Sequence, residues 1–220
     1  VWQKLYQELS GHNFTVLAVA LDEPEAARPW IEAASPTYPC LIDRDHHVAE
    51  LYHIVNVPQA AWIDEAGRIV RPPENAGSSD AFRYMDRATG QMSAEQTAER
   101  VHMKAVYVEA IRDWVLKGKD SEHVFDPAAA QAHLRLPDAN AAKAHVHFRL
   151  AQHLKLKGKA DEADRHFAEA SRLHPRSWNI FRQAATKAAR GLAAGPDFWT
   201  RVDALDQEPY HLPIDMKGIR

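Results

Sequence analysis

The sequence predicts an α/β half followed by an all-helical half. Three observations carry this. The run FTVLAVALD (Phe14 to Asp22) is nearly continuous in apolar and β-branched residues, the pattern of a strand buried on both faces. Further on, QAAWID and RIV flank EAG and read as a β-hairpin, with Gly67 supplying the positive φ of the turn. From about Ser78 the strand signals stop, alanine rises and helical periods dominate to about residue 192.

In order, VWQKLYQEL has apolar residues at Val1, Trp2, Leu5, Tyr6 and Leu9, a helical rhythm with Gly11 as the expected C-cap. No N-cap residue precedes it, so the chain is expected to start inside a helix, with further residues upstream. After the Phe14–Asp22 strand, EPEAARPWIEAA reads as a helix with Trp30, Ile31 and Ala34 on its apolar side. YPCLID (Tyr38 to Asp43) is a short strand and HHVAELYHI a short helix. With the hairpin, this alternation describes a mixed sheet of α/β type. Pro58 stands where the hairpin begins, and a residue without a backbone N–H belongs at a strand's first position, an edge or a bulge.

PPENAGSSD (Pro72 to Asp80), rich in turn formers, is the expected boundary, dividing the chain into 1–77, a helical region over 78–192 and a docking tail over 193–220. Ser93 is the expected N-cap of a long helix with Val101, Ala105, Val108, Ile111 and Val115 on one stripe. The tail has apolar anchors at Phe198, Trp199 and Tyr210 without clear periodicity.

The 220 residues are 45% apolar and 26% charged, ordinary for a globular protein, and the net charge of -3 predicts no general attraction to nucleic acid or acidic membranes. No apolar run approaches the roughly 20 residues that span a bilayer. The single cysteine, Cys40, excludes an internal disulfide and a cysteine-built zinc site within these residues. The 13 histidines do not form the i, i+4 pair that sets two imidazoles on one ligand face, so no metal and no cofactor is expected.

Taken together, VLAVALDE and YPCLIDRDHHVAELYHIVNVPQAAWIDEAGRIV, in this order and spacing, resemble the thioredoxin-like domains of the ResA/TlpA and AhpC/TSA (redoxin) group. The resemblance covers residues 1 to about 75. It implies a thioredoxin-like mixed sheet whose first, central strand and redox motif (Cys-x-x-Cys or a relative) precede the helix at Val1–Leu9. The redox residue is therefore expected before Val1, and no catalytic residue within this segment. The resemblance also implies that Pro58 is the cis-proline of that fold and that Val57 and Pro58 contact substrate; the residues alone leave open a trans proline that merely starts a strand. Trp62 is expected to support the core. Thr-Tyr-Pro-Cys (Thr37 to Cys40) faintly resembles a peroxiredoxin Thr-x-x-Cys, but the apolar LID that follows is expected to bury Cys40 as a neutral thiol.

Residues 144–175 read AHVHFRLAQHLKLKGKADEADRHFAEASRLHP, two helices split by KGKAD. Leu150, Ala151 and Leu154 are expected inward on the first, and Ala163, Phe167 and Ala170 on the second. With Gly158 and Pro175 this register resembles a tetratricopeptide (TPR) repeat, although His147 stands where Trp is usual and Leu154 where Tyr is usual. A redoxin domain followed by TPR-like helices further resembles a group of ResA-like bacterial selenoproteins and cysteine homologues with a W-A-x-x-U/C-G-S-x-x-P-E motif. These resemblances imply a thiol-disulfide or peroxide-handling, antioxidant oxidoreductase, with a protein thiol or disulfide or a small peroxide as its partner. The alternative is a non-catalytic scaffold whose helical half binds a protein partner or a second copy. Cytoplasmic redoxins and exported ResA/TlpA-type proteins both fit, the cytoplasm slightly the better.

Overall fold

The computed structural model describes residues 1–186 and 192–219. Its elements run α1 (Trp2–Leu9), β1 (Ala18–Ala20), α2 (Pro24–Ala34), β2 (Cys40–Ile42), α3 (His47–Leu51), β3 (Gln59–Ile63), β4 (Ile69–Asn75) and α4 (Ala94–Lys117). The helices α5 (Pro127–His133), α6 (Ala139–Leu156), α7 (Ala160–Leu173), α8 (Trp178–Ala184) and α9 (Pro196–Asp203) follow. The helical stretch expected to reach residue 192 falls outside the described residues over 187–191. The chain divides into two compact, interleaved units. One holds Val1–Val16, Pro58–Leu134 and Leu205–Arg220; the other holds Leu17–Val57 and Arg135–Ala204.

In the first unit, α1 buries Leu5 and Leu9. The left-handed residue that ends this segment is Asn13 (φ 54°) rather than Gly11, because a 3-10 turn over Ser10–His12 carries the chain two residues further. β3 and β4 form the expected antiparallel hairpin, its turn closed by Gly67 at φ 77° and by Asp64 Oδ1, which accepts from the Ala66 and Arg68 amides at 3.0 and 2.9 Å. β4 runs on through Pro72 and Pro73 to Asn75, part of the stretch expected to be a turn-rich boundary. Irregular register beside Trp62 accommodates these prolines, which have no ladder donor to give. Trp62 is 3% exposed and donates from Nε1 to Tyr107 Oη at 3.0 Å, within a core that includes Leu5, Tyr107, Ile111, Ile214 and Met216.

α4 opens on the expected cap, with Ser93 and Gln96 forming a reciprocal capping box. Its stripe differs from expectation. Val101 is 64% exposed and Ala105 is exposed, while Tyr107, Val108, Ala110 and Ile111 are buried. The core covers α4 only from about Met103, so the first turns of the periodic pattern meet solvent.

Arg71, 1% exposed, lies at the centre of this unit. It pairs with Glu74, donates to the backbone carbonyls of His123 and Asp215, and stacks its guanidinium over Phe125 and Trp62, 4.5 and 5.4 Å from their ring centres. One buried cation thereby joins β4 to the loop before α5 and to the C-terminal segment. Burial still holds the Glu74 carboxyl above the usual range, outweighing Arg71. Asp80 fixes the same C-terminal segment, accepting from the Tyr210 and His211 amides at 2.7 and 3.0 Å and from His211 Nδ1 at 2.9 Å. Burial pushes the Asp80 carboxyl up, but these bonds prevail and leave it below the usual range.

In the second unit, β1 pairs in parallel with β2, Ala18 opposite Cys40 and Ala20 opposite Ile42. Phe14–Asp22 does not form a long strand buried on both faces. β1 has three half-buried residues, and Leu17 is 61% exposed. Nor is there a single mixed sheet: among the described residues the strands form two two-stranded sheets, β1–β2 and β3–β4. Among the described residues, β1 and β3 each have one strand partner. α2 likewise buries Ala27 rather than the expected stripe, leaving Trp30 51% exposed and Ala34 exposed, with Ile31 half-buried.

α6 and α7 form an antiparallel hairpin around Ala144, Phe148, Ala151, Leu154, Ala163, Phe167, Ala170 and the α8 residue Ile180. Leu150, expected inward, is 40% exposed. The buried stripe steps through 144, 148 and 151, and Leu150 lies about 200° around the helix from Phe148. The tail is partly regular, α9 burying Phe198 and Val202. Among the histidines here, His46 is buried and His145 and His174 are half-buried. The His46 ring lies 5.0 Å from that of Phe148, and those of His145 and His174 are 6.2 Å apart. Burial holds all three imidazoles below their ordinary pKa, against the opposing pull of Asp43 on His46, Glu50 on His145 and Asp138 on His174.

Two predictions follow from this packing. Arg71→Ala strands the Glu74 carboxylate and should cost about 3–5 kcal/mol in chemical denaturation, with Arg71→Met/Glu74→Gln costing clearly less. For the histidines the folded pKa lies below the unfolded value of 6.5. Folding stability should therefore be full above pH 6.5 and fall as the pH drops beneath it, where the unfolded chain takes up protons that the fold resists. Melting temperatures at pH 7.5 and 5.5 check this, and the gap should narrow in His46→Phe.

Candidate functional site

The segment Tyr52–Pro58 connects α3 to β3 and contains the two residues with an expected substrate role. Asp43 sets its start. This buried carboxylate caps α3, accepting from the His47 amide at Oδ1 (2.8 Å) and the Ala49 amide at Oδ2 (3.0 Å). α3 then ends through left-handed His53 (φ 53°), and the Ile54 amide returns to the Ala49 carbonyl at 2.7 Å.

The next two carbonyls are held by α8. Val55 O accepts from the Trp178 and Asn179 amides at 2.8 and 3.2 Å, and Ile54 O accepts from Asn179 Nδ2 at 2.7 Å. The first amides of a helix have no partner within it, so the loop's carbonyls and the helix's donors satisfy one another. Ser177 caps the same helix, accepting from the Ile180 amide at 3.3 Å, and Trp178 and Asn179 are 4% and 5% exposed. Buried Asn56 then accepts from the Val57 amide at 2.9 Å.

Val57 emerges from this clamp 39% exposed, and Pro58 beside it is exposed. Pro58 directly precedes β3, where a residue lacking an N–H fits, and its carbonyl accepts from the Ala76 amide at 3.2 Å. The two expected contact residues thus stand at the surface, on backbone fixed from the Val57 side by Asn56 and from the Pro58 side by the hairpin. Asn56, Trp178 and Asn179 carried no signal of a role at this loop.

Cys40 is half-buried in β2, its Sγ 3.8 Å from the Tyr38 carbonyl, so the expected full burial of its thiol does not hold. Among the described residues β2 pairs with β1, and the neighbouring Leu41 and Ile42 are 50% and 38% exposed. Among the histidines, the hairpin joins two that the sequence kept apart. His147 on α6 and His166 on α7 meet Nδ1 to Nδ1 at 2.8 Å, ring centres 5.1 Å apart, so one ring donates and the other accepts. No group of three or more His, Cys, Asp or Glu side chains that could hold a metal ion occurs among the described residues, nor does a helix long and apolar enough to cross a membrane.

No curated protein and no solved structure matches the chain. The model of the AhpC/TSA family matches residues 2–71, from the start of α1 to Arg71 in β4. Residues 2–71 are an AhpC/TSA domain of the redoxin, thioredoxin-like type, and a predominantly helical region follows it.

Proposed function

We propose that the chain is the substrate-side part of a thiol-disulfide or peroxide-handling oxidoreductase whose redox residue, a cysteine or selenocysteine, precedes Val1. The observation that carries this is the state of the strands inside the AhpC/TSA segment: β1 and β3 each have one strand partner and one open edge. An open edge presents backbone donors and acceptors that a further strand would pair. In a thioredoxin-like domain that strand delivers the redox motif.

The chemistry would be nucleophilic. Toward a disulfide, the thiolate attacks one sulfur, a mixed disulfide forms, and the other sulfur leaves as thiolate. Toward a peroxide, it attacks the distal oxygen, becoming a sulfenic acid while the O–O bond breaks and water or an alcohol leaves. Val57 and Pro58 would contact the substrate, extended backbone lying against their exposed surface. In this reading residues 1–77 are the redox domain, 78–192 its helical partner with a TPR-like repeat at 144–175, and 193–220 a tail. The narrower kinship, with ResA-like proteins of the W-A-x-x-U/C-G-S-x-x-P-E type, rests on this pairing of domains.

A second reading, a non-catalytic scaffold, draws on the α6–α7 hairpin, whose outer surface exposes Val146, Leu150 and Leu156 at 68%, 40% and 72%. The test is the natural protein with its upstream residues. A cysteine or selenocysteine motif there, with turnover of insulin disulfides or hydrogen peroxide that disappears on its replacement by serine, is the expected result. An upstream sequence without such a motif, and no turnover, would leave the scaffold. Residues 1–220 alone should turn over neither substrate, and activity abolished by Cys40→Ser would move the chemistry to that thiol.

A further inference from the structure

We propose that α8 of the helical region is a positioning element for the substrate-side loop, with Asn179 as its central positioning residue. The proposal rests on the reading of Val57 and Pro58 as substrate contacts.

Three hydrogen bonds from two consecutive residues converge on two consecutive carbonyls. Trp178 N and Asn179 N reach Val55 O, while Asn179 Nδ2 reaches Ile54 O at 2.7 Å. All four residues belong to the same compact unit. Trp178 is held by aromatic and cation–π packing. It packs edge-on against Phe181 and Phe198, both at 5.7 Å, and beneath the Arg201 guanidinium at 4.9 Å. Arg201 in turn donates to Ser171 Oγ at 2.8 Å and to the Pro175 carbonyl at 2.5 Å, at the end of α7 and in the turn before α8. The α7–α8 junction is thus a hydrogen-bonded and ring-packed platform, and the loop is fastened to the start of α8.

This geometry has a functional reason beyond burial. A loop that offers backbone to an extended substrate binds well only if its φ and ψ are fixed beforehand, because ordering it during binding costs free energy at each residue. β3 orders the chain from Gln59 onward through its ladder with β4, but Ile54–Val57 belongs to no strand. Here α8 replaces the missing ladder, fixing two carbonyls, and Asn56 fixes the next amide. It also gives a physical reason for a redox domain and a helical array to share one chain.

The test uses the natural full-length protein and two variants. Asn179→Asp keeps shape and size but sets a carboxylate oxygen against the Ile54 carbonyl, and Asn56→Ala removes the acceptor of the Val57 amide. For a peptide disulfide substrate, Asn179→Asp should raise KM about tenfold with kcat little changed, since the reacting sulfur is untouched. Amide exchange at Val55–Val57 should quicken about tenfold or more in both variants, while amides of α6 and α7 stay protected. Phe167→Ala, which loosens the hairpin core, should lower the melting temperature without changing KM below the transition. Unchanged KM and unchanged loop exchange in Asn179→Asp would overturn the proposal, as would a fall in kcat equal to that of kcat/KM. If the wild-type protein shows no turnover, the redox reading fails, and loop exchange alone decides whether α8 positions the loop.

Discussion

Every buried backbone amide and carbonyl needs a partner, and this requirement organises the molecule more than any single side chain. Where the chain supplies a neighbour, as β4 does for β3, a regular ladder forms. Where it supplies one neighbour only, as for β1, a run apolar enough for a longer strand is regular over Ala18–Ala20. Where no strand is at hand, as at Ile54 and Val55, the start of α8 takes over, pairing otherwise unsatisfied helix donors with otherwise unsatisfied loop acceptors. The candidate substrate loop is therefore built on the same rule as the strand ladders.

The two units meet the cost of buried polarity differently. In the first, the charge of Arg71 is wrapped by a carboxylate, two carbonyls and two aromatic faces, so that a cation serves as a junction for three remote segments. A lysine could not reproduce this, lacking the planar fork and the flat face that stacks on rings. In the second, buried Asp43, Asn56, Ser177 and Asn179 are hydrogen-bonded to backbone, while buried His46 lies against Phe148 and half-buried His145 near His174. Burial holds these imidazoles below their ordinary pKa, so this unit loses stability in acid.

Periodicity located the helices well but misjudged some of their faces. Ser93 with Gln96, and the Ala163–Phe167–Ala170 stripe, are local patterns that later packing had no reason to alter. Val101 and Leu150 also fit a helical period, yet both are exposed. A period identifies a stripe, and only the extent and direction of the neighbouring surface decides which part of it is covered. His147 and His166 show the converse: nineteen positions apart, they carry no mutual signal, and a helical hairpin sets their nitrogens 2.8 Å apart.

By itself the sequence determined what depends on neighbours along the chain. The hairpin around Gly67, the place of Pro58 ahead of β3, the capped start of α4, the α6–α7 hairpin and the redoxin character of the first third were all legible, because turn chemistry, proline's missing donor and local period act within a few residues. Only the tertiary structure decided what depends on distant partners. It reduced Phe14–Asp22 to a short strand and put Arg71 at a three-way junction. It also fastened the loop before Pro58 to Trp178 and Asn179, some 125 positions away in the sequence. Hydrogen bonds between remote segments are set by which backbone groups remain unsatisfied once the local elements have formed, and no local pattern records that remainder.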